Sequence, residues 1–112
     1  MRAEALKGHL DGMLLASLEA GPRHGYAVME ALRVGSGGQF DLPTGTIYPA
    51  LRRLERAGLV QGTWSEVGGR RRRAYELTPA GWRTLDAERG MWREFSAAVT
   101  ALLEPEPRPV TS

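Results

Sequence analysis

The chain has 112 residues, which suits one domain with at most a short extension. Its 42% apolar and 25% charged residues are typical of a globular protein, and no apolar run reaches the roughly 20 residues that a membrane span requires. The net charge is only +2 and there is no cysteine, which excludes disulfides, thiolate metal sites and thiol nucleophiles and favours the cytoplasm.

Two amphipathic helices are predicted first. Helical spacing of apolar residues predicts a helix from about Ala3 to Leu18, ended by Gly21 and Pro22. The residues of its apolar stripe are Leu6, Leu10, Met13, Leu14 and Leu18. A second helix is predicted from Tyr26 to Val34 before the glycine-rich stretch GSGG. Its core residues should be Val28, Met29 and Leu32.

The stretch DLPTGTIYPALRRLERAGLV predicts a third helix. Because proline is tolerated only near a helix start, Pro49 places the first residue near 45–47, with Thr44 or Thr46 as the N-cap. Advancing about 100° per residue separates two faces. The apolar face holds Ile47, Ala50, Leu51, Leu54 and Ala57. The cationic face holds Tyr48, Arg52, Arg53 and Arg56.

An alternating pattern then predicts two strands joined by a tight turn at Gly68 and Gly69. Four arginines, Arg70 to Arg73, open the second strand beside this turn. The aromatic residues Trp64, Tyr75 and Trp82 are expected in the core. Residues 44–73 carry seven arginines against two glutamates, a net of +5, so the rest of the chain carries −3. Such a segregated positive segment indicates an anionic partner.

A long last helix is predicted from the cap Thr78 and the first-turn Pro79 to about Leu103. Its length of roughly 40 Å exceeds what the small domain before it can cover. Apolar residues continue along it at spacings of three and four, interrupted by Glu88, which predicts packing against a second copy of the chain. The expected dimer interface comprises Leu85, Trp92, Phe95, Val99 and Leu102.

The sequence therefore predicts a mainly α fold with a small β-hairpin: a winged helix-turn-helix plus one long C-terminal dimerisation helix. We divide it into a DNA-binding domain (1–77), the dimerisation helix (78–104) and a disordered, proline-rich tail (105–112). The blocks HGYAVMEAL, LPTGTIYPALRRLERAGLV and GGRRRRAYELTPAG, in this order, resemble the PadR family of bacterial transcriptional regulators, in its shorter form. The resemblance covers residues 5 to about 85.

This resemblance implies a homodimeric repressor of a palindromic operator that responds to a small ligand. The third helix would enter the major groove, and the hairpin, or wing, would touch the adjacent backbone or minor groove. The candidate DNA-binding residues are Thr44, Thr46, Tyr48, Arg52, Arg53, Arg70, Arg71, Arg72 and Arg73. In some relatives a tryptophan of the last helix binds a flat aromatic effector, a role for which Trp92, with Phe95 beside it, is the candidate.

Two other functions stay open. The same fold could be a protein-interaction module, because an acidic protein surface would also satisfy these arginines. It could also be mainly a small-molecule sensor centred on Trp92. Enzymatic activity and a cofactor are not expected, since no activated nucleophile or phosphate-binding loop is present. His9 and His24 lack further ligands at metal spacing, so no metal is expected either.

Overall fold

The computed structural model describes Leu6 and residues 8–107. It has four helices and three strands, and it confirms the predicted mainly α fold with a winged helix-turn-helix and a long last helix. In chain order the elements are α1 (Leu10–Ser17), β1 (Arg23–His24), α2 (Gly25–Gly35), α3 (Thr44–Arg56), β2 (Val60–Val67), β3 (Arg70–Leu77) and α4 (Pro79–Leu103).

The core is formed where α1, α2 and α3 meet the sheet and the start of α4. The apolar stripes predicted for α2 and α3 face it, because residues three and four apart share one side of a helix. The largest fully buried side chains are Leu14, Leu15, Leu18, Val28, Ile47, Leu51, Leu54, Val60 and Leu85. Helix α1 starts later than predicted, since Gly8 has a φ of 85° that no α-helix can include. The predicted start at Ala3 lies outside the described residues.

Helix α3 also differs from its prediction at the start. Its N-cap is Pro43, in extended conformation, and neither Thr44 nor Thr46 caps it with a side chain. The carbonyl of Pro43 instead accepts hydrogen bonds from the amides of Thr46 (3.0 Å) and Ile47 (3.1 Å). Pro49 is therefore the sixth helical residue, where it removes one backbone hydrogen bond at a cost of about 3 kcal/mol. Burial of the apolar face of α3 offsets this cost.

The hairpin lies where it was predicted, and it is joined by a third strand that was not. Strands β2 and β3 pair over their whole length, from Val60 opposite Leu77 to Val67 opposite Arg70. Gly68 and Gly69 form the predicted turn with φ values of 60° and 76°, which suit glycine in a tight hairpin. The two-residue strand β1, which we did not predict, pairs with the other edge of β3 and gives the sheet order β1-β3-β2. The wing is thus tied to the start of α2.

Helix α4 begins as predicted, because the Thr78 hydroxyl accepts a hydrogen bond from the Gly81 amide (3.0 Å) and Pro79 is the first helical residue. Only its first part is covered by the rest of the chain. Leu85 is 1% exposed and belongs to the chain's own core, so its predicted place in a dimer interface is wrong. Trp92, Phe95 and Leu102 are 54%, 57% and 81% exposed.

The core assignment of the other aromatic residues is only partly right. Tyr75 is buried, at 2% exposure, but Trp64 and Trp82 are 58% and 42% exposed. Trp64 lies on the wing, in strand β2. Of the predicted tail, residues 105–107 follow α4 without regular structure, and the remainder lies outside the described residues. Within the described part of the chain, no helix has the length and hydropathy to cross a membrane.

Candidate nucleic-acid interface

One cleft, of about 640 Å³, separates the exposed face of α3 from the wing. It brings together six of the nine residues predicted to bind DNA: Tyr48, Arg52, Arg70, Arg71, Arg72 and Arg73. The remaining lining residues are His24, Gly25, Tyr26, Glu55, Trp64 and Tyr75. Thr44 and Thr46 lie in the first turn of α3, outside the cleft. Five of the seven arginines of the positive segment therefore line one concave surface with two walls.

Tyr48 is held on the floor of this cleft by the start of α2. A Cβ atom added to Gly25 would lie 2.5 Å from ring atoms of Tyr48, so the ring would have to shift if any other residue stood at position 25. The ring of Tyr26 meets that of Tyr48 edge to face, with centroids 6.3 Å apart. Burial, reinforced by Tyr26 and Tyr75, raises the pKa of Tyr48 above 10.0, so its hydroxyl stays a neutral hydrogen-bond donor at pH 7.

The predicted arginines of α3 differ in their partners. Arg52 is exposed, lines the cleft and forms no ion pair with any described residue. Arg53 points away from the cleft to α1, where both of its terminal nitrogens donate to the carboxylate of Asp11, at 2.7 Å each. This hydrogen bonding raises the pKa of the Arg53 guanidinium. The charge of Arg53 is thus paired within the chain. Its side chain does not join that of Arg52 in the cleft.

The wing arginines divide in the same way. Arg70, Arg71 and Arg72 are exposed around the hairpin tip. Arg73 is partly buried and forms an ion pair with Glu55 of α3. Trp64 lies beside two of them, with the guanidinium carbons of Arg71 and Arg73 at 4.8 and 5.4 Å from its ring centroid. Both distances are within the range of cation–π attraction.

A second, mostly apolar cleft of about 490 Å³ lies between α1 and α4. Trp92, one of the two residues predicted to bind an effector, lines it together with Glu88 and His9, whose ring meets the Trp92 indole edge to face at 5.3 Å. Phe95, the other predicted residue, lies outside the lining, with its ring centroid 6.1 Å from that of Trp92. Arg89 at the cleft edge donates two hydrogen bonds to Glu19 of α1, at 2.6 and 2.8 Å.

Several residues of the basic cleft could not be identified from residue type alone. Gly25, Tyr26, Glu55 and Trp64 contribute to it although none was predicted as part of the site. The block HGYAVMEAL contains the first two, but no periodic pattern predicts that the start of α2 at Gly25 lies beside Tyr48, 23 residues further along the chain. For Glu55 the signal was its position on the helix, one turn beyond Arg52.

A helical bundle followed by a wing, with basic side chains on both walls of the cleft between them, defines a winged helix-turn-helix protein. The sequence pattern of the Transcriptional regulator PadR-like family matches residues 14–87. The chain therefore belongs to this family and is a PadR-family transcriptional regulator. The match spans α1 to the first part of α4 and leaves out the exposed end of that helix.

Similar proteins agree with this assignment. The chain is 38% identical over 77 residues to the transcriptional regulator Rv3488 of Mycobacterium tuberculosis, covering 69% of this chain and 59% of that protein. The crystal structure of a PadR-like transcriptional regulator from Bacillus cereus has a TM-score of 0.80 and 28% identity, over 93% of this chain and all of that one. PadR of Bacillus subtilis in complex with operator DNA has the same fold, with a TM-score of 0.66, 23% identity, and 94% and 52% coverage.

Proposed function

We propose that the chain is a ligand-responsive repressor that binds a palindromic DNA operator as a homodimer in the cytoplasm. The observation that carries this proposal is the single cleft in which Tyr48 and Arg52 of α3 face the exposed wing arginines. Two basic walls on one side of the molecule suit a duplex better than two patches on opposite sides would. Operator binding by the similarly folded PadR of Bacillus subtilis supports the same assignment.

The two walls would have separate roles on DNA. The first turns of α3, with Thr44, Thr46 and Arg52, would lie in the major groove, where an arginine paired with guanine discriminates by about 1 to 3 kcal/mol. The wing would meet the adjacent backbone or a narrow minor groove. Since Arg73 is paired with Glu55 within the chain, we propose that the other wing arginines, Arg70, Arg71 and Arg72, supply most of the wing's phosphate contacts. Residues 1–77 would then be the DNA-binding domain.

The exposed end of α4 supports self-association. Five large apolar side chains in this part of the helix are more than half exposed: Met91, Trp92, Phe95, Leu102 and Leu103. Burying such a surface against a second copy is favourable, and a twofold pair would present two DNA-binding domains to two half-sites about 10 base pairs apart. We therefore propose residues 78–104 as the dimerisation helix. The expected sedimentation result is a dimer that Phe95→Glu converts to a monomer.

The effector would occupy the cleft between α1 and α4. Its apolar lining and the exposed Trp92 suit a flat aromatic compound. A titration with flat cationic dyes should quench tryptophan fluorescence, and Trp92→Ala should abolish the quenching. Quenching that survives in Trp92→Ala would place any effector elsewhere, because Trp64 and Trp82 are also exposed.

DNA binding is tested by gel retardation of sheared genomic DNA at low salt. We expect retardation at micromolar protein, a steep loss of affinity with salt, and weaker binding to every sequence for Arg71→Ala. Arg83→Ala, an exposed arginine of α4 outside the cleft, is the matched control and should bind as the wild type does. Absence of retardation would instead favour the protein-interaction module.

Sequence preference requires its own measurement. We expect Arg52→Ala to bind random duplex nearly as well as the wild type does at matched salt but to lose about 1 to 3 kcal/mol of preference for the selected operator. The operator would be obtained by selecting sequences from a random pool. A preference that Arg52→Ala leaves unchanged would remove Arg52 from the base-reading residues.

A further inference from the structure

The arginines of the wing differ in their contacts. Arg71 and Arg73 both lie beside the exposed Trp64, but only Arg73 also forms an ion pair with a described residue. Resting on the proposed DNA-binding function, we propose that Trp64 is a positioning residue that holds Arg71 ready for a DNA phosphate. We further propose that Arg73, neutralised by Glu55, is a strut between the wing and α3 and makes no phosphate contact.

The strut is built from three residues on facing elements. Glu55 accepts a hydrogen bond from the Gly62 amide (3.1 Å) and pairs with the Arg73 guanidinium through the same oxygen. A Cβ atom on Gly62 would lie 2.6 Å from Nε of Arg73 and 2.7 Å from Oε2 of Glu55, so the pair uses the space that glycine leaves. Both charged side chains are about one-third exposed, at 32% and 28%. The charge of Arg73 is therefore compensated by Glu55 of α3, which leaves little attraction for an external anion.

The strand register places Trp64 next to two arginines. Trp64 lies opposite Arg73, and side chains two residues apart share one face of a strand, so Arg71 lies on the same face of the sheet. The guanidinium carbon of Arg71 is 4.8 Å from the indole centroid, closer than that of Arg73 at 5.4 Å. The residue opposite Arg71 is Glu66, but no ion pair joins the two side chains.

A guanidinium held against an aromatic ring keeps its N–H edges available for a phosphate. Its side chain also loses less conformational freedom on binding than a free arginine would. This arrangement explains why an aromatic residue with 58% exposure stands on the wing, where it packs into no core. Arg70 and Arg72 show no such ring contact among the described residues, so of the three exposed wing arginines Arg71 is the one whose position is fixed in advance.

Equilibrium binding to one operator duplex across a salt series tests both parts. Arg71→Ala should lower the slope of log affinity against log salt by about 0.9 for each half-site. The paired change Glu55→Gln with Arg73→Gln, which removes both charges and keeps hydrogen-bonding groups, should leave that slope unchanged. A fall of about 0.9 per half-site in the paired variant would show that Arg73 contacts phosphate and would overturn the strut.

The positioning role is tested by a double-mutant cycle. Trp64→Leu should weaken binding about two- to fivefold per half-site, the range expected of an exposed cation–π contact, and should keep the wild-type slope. Trp64→Phe should restore most of the affinity, since it keeps an aromatic face. In the Arg71→Ala background, Trp64→Leu should have no further effect.

An equal loss with and without Arg71, or a Trp64→Phe variant as weak as Trp64→Leu, would overturn the positioning role, because Trp64 would then act only on the wing's structure. Either result, obtained with a wild type that still binds DNA, leaves the proposed function standing. A wild type whose affinity is absent or independent of salt would overturn the proposed function and this inference together.

Discussion

Gly25 and Tyr48 give the sharpest test of how α2 shapes the basic cleft. In Gly25→Ala the new Cβ atom would meet the Tyr48 ring at 2.5 Å, whereas ordinary contact begins at 3.4 Å, so the ring must move by about 0.9 Å. Such overpacking costs about 1 to 3 kcal/mol. The gain in helix propensity from glycine to alanine returns up to about 1 kcal/mol. We expect the free energy of unfolding to fall by about 0 to 3 kcal/mol.

The same helix offers a matched control. A Cβ atom on Gly35, the last residue of α2, would meet nothing within 4 Å, so Gly35→Ala should stabilise the fold by about 0.4 to 1 kcal/mol. Urea unfolding followed by tryptophan fluorescence measures both variants. In a Tyr48→Ala background the cost of Gly25→Ala should disappear. If Gly25→Ala is as stable as Gly35→Ala in the wild-type background, the close packing of Tyr48 on α2 is refuted.

Two further predictions concern α4 and α1. Leu85→Ala should lower the free energy of unfolding, measured in urea, by about 2 to 5 kcal/mol because Leu85 is 1% exposed. Leu102 is 81% exposed, so Leu102→Ala should instead weaken self-association, which sedimentation measures. Hydrogen bonding to Arg89 lowers the pKa of Glu19 below 4.5, so this pair stabilises the fold above about pH 4.5 and the contribution is lost as the pH falls through the lowered value. Melting temperatures between pH 3 and 6 should therefore fall less steeply in Glu19→Gln, and an unchanged profile would contradict the pairing.

The sequence predicted those parts of the fold that local patterns determine. Helical spacing identified the buried face of α3, and the glycine pair identified the hairpin turn, because each depends on residues close together in the chain. Strand β1 has only two residues, too few for any alternation to be visible. The start of α3 was predicted too late because tertiary burial outweighs the cost of Pro49 inside a helix.

For the candidate site, the sequence predicted which arginines line the cleft better than it predicted which of them form ion pairs within the chain. The arginines near the turn lie on the cleft as expected, but Arg53 and Arg73 are neutralised by residues 42 and 18 positions away along the chain. No local pattern specifies such distant pairings. Likewise, Trp64 was predicted in the core but is exposed, because alternation in β2 carries no information on whether another element covers the face on which Trp64 lies.

If the chain dimerises through the uncovered end of α4 as proposed, its binding to DNA depends on how much of the protein is present. A single copy bears Trp92, Phe95 and Leu102 open to water, so pairing is favoured only when a second copy is abundant enough to meet it. Promoter occupancy would then rise more steeply than in direct proportion to the number of copies synthesised. If the gene represses its own transcription, this steepness would let a modest drop in expression clear the operator.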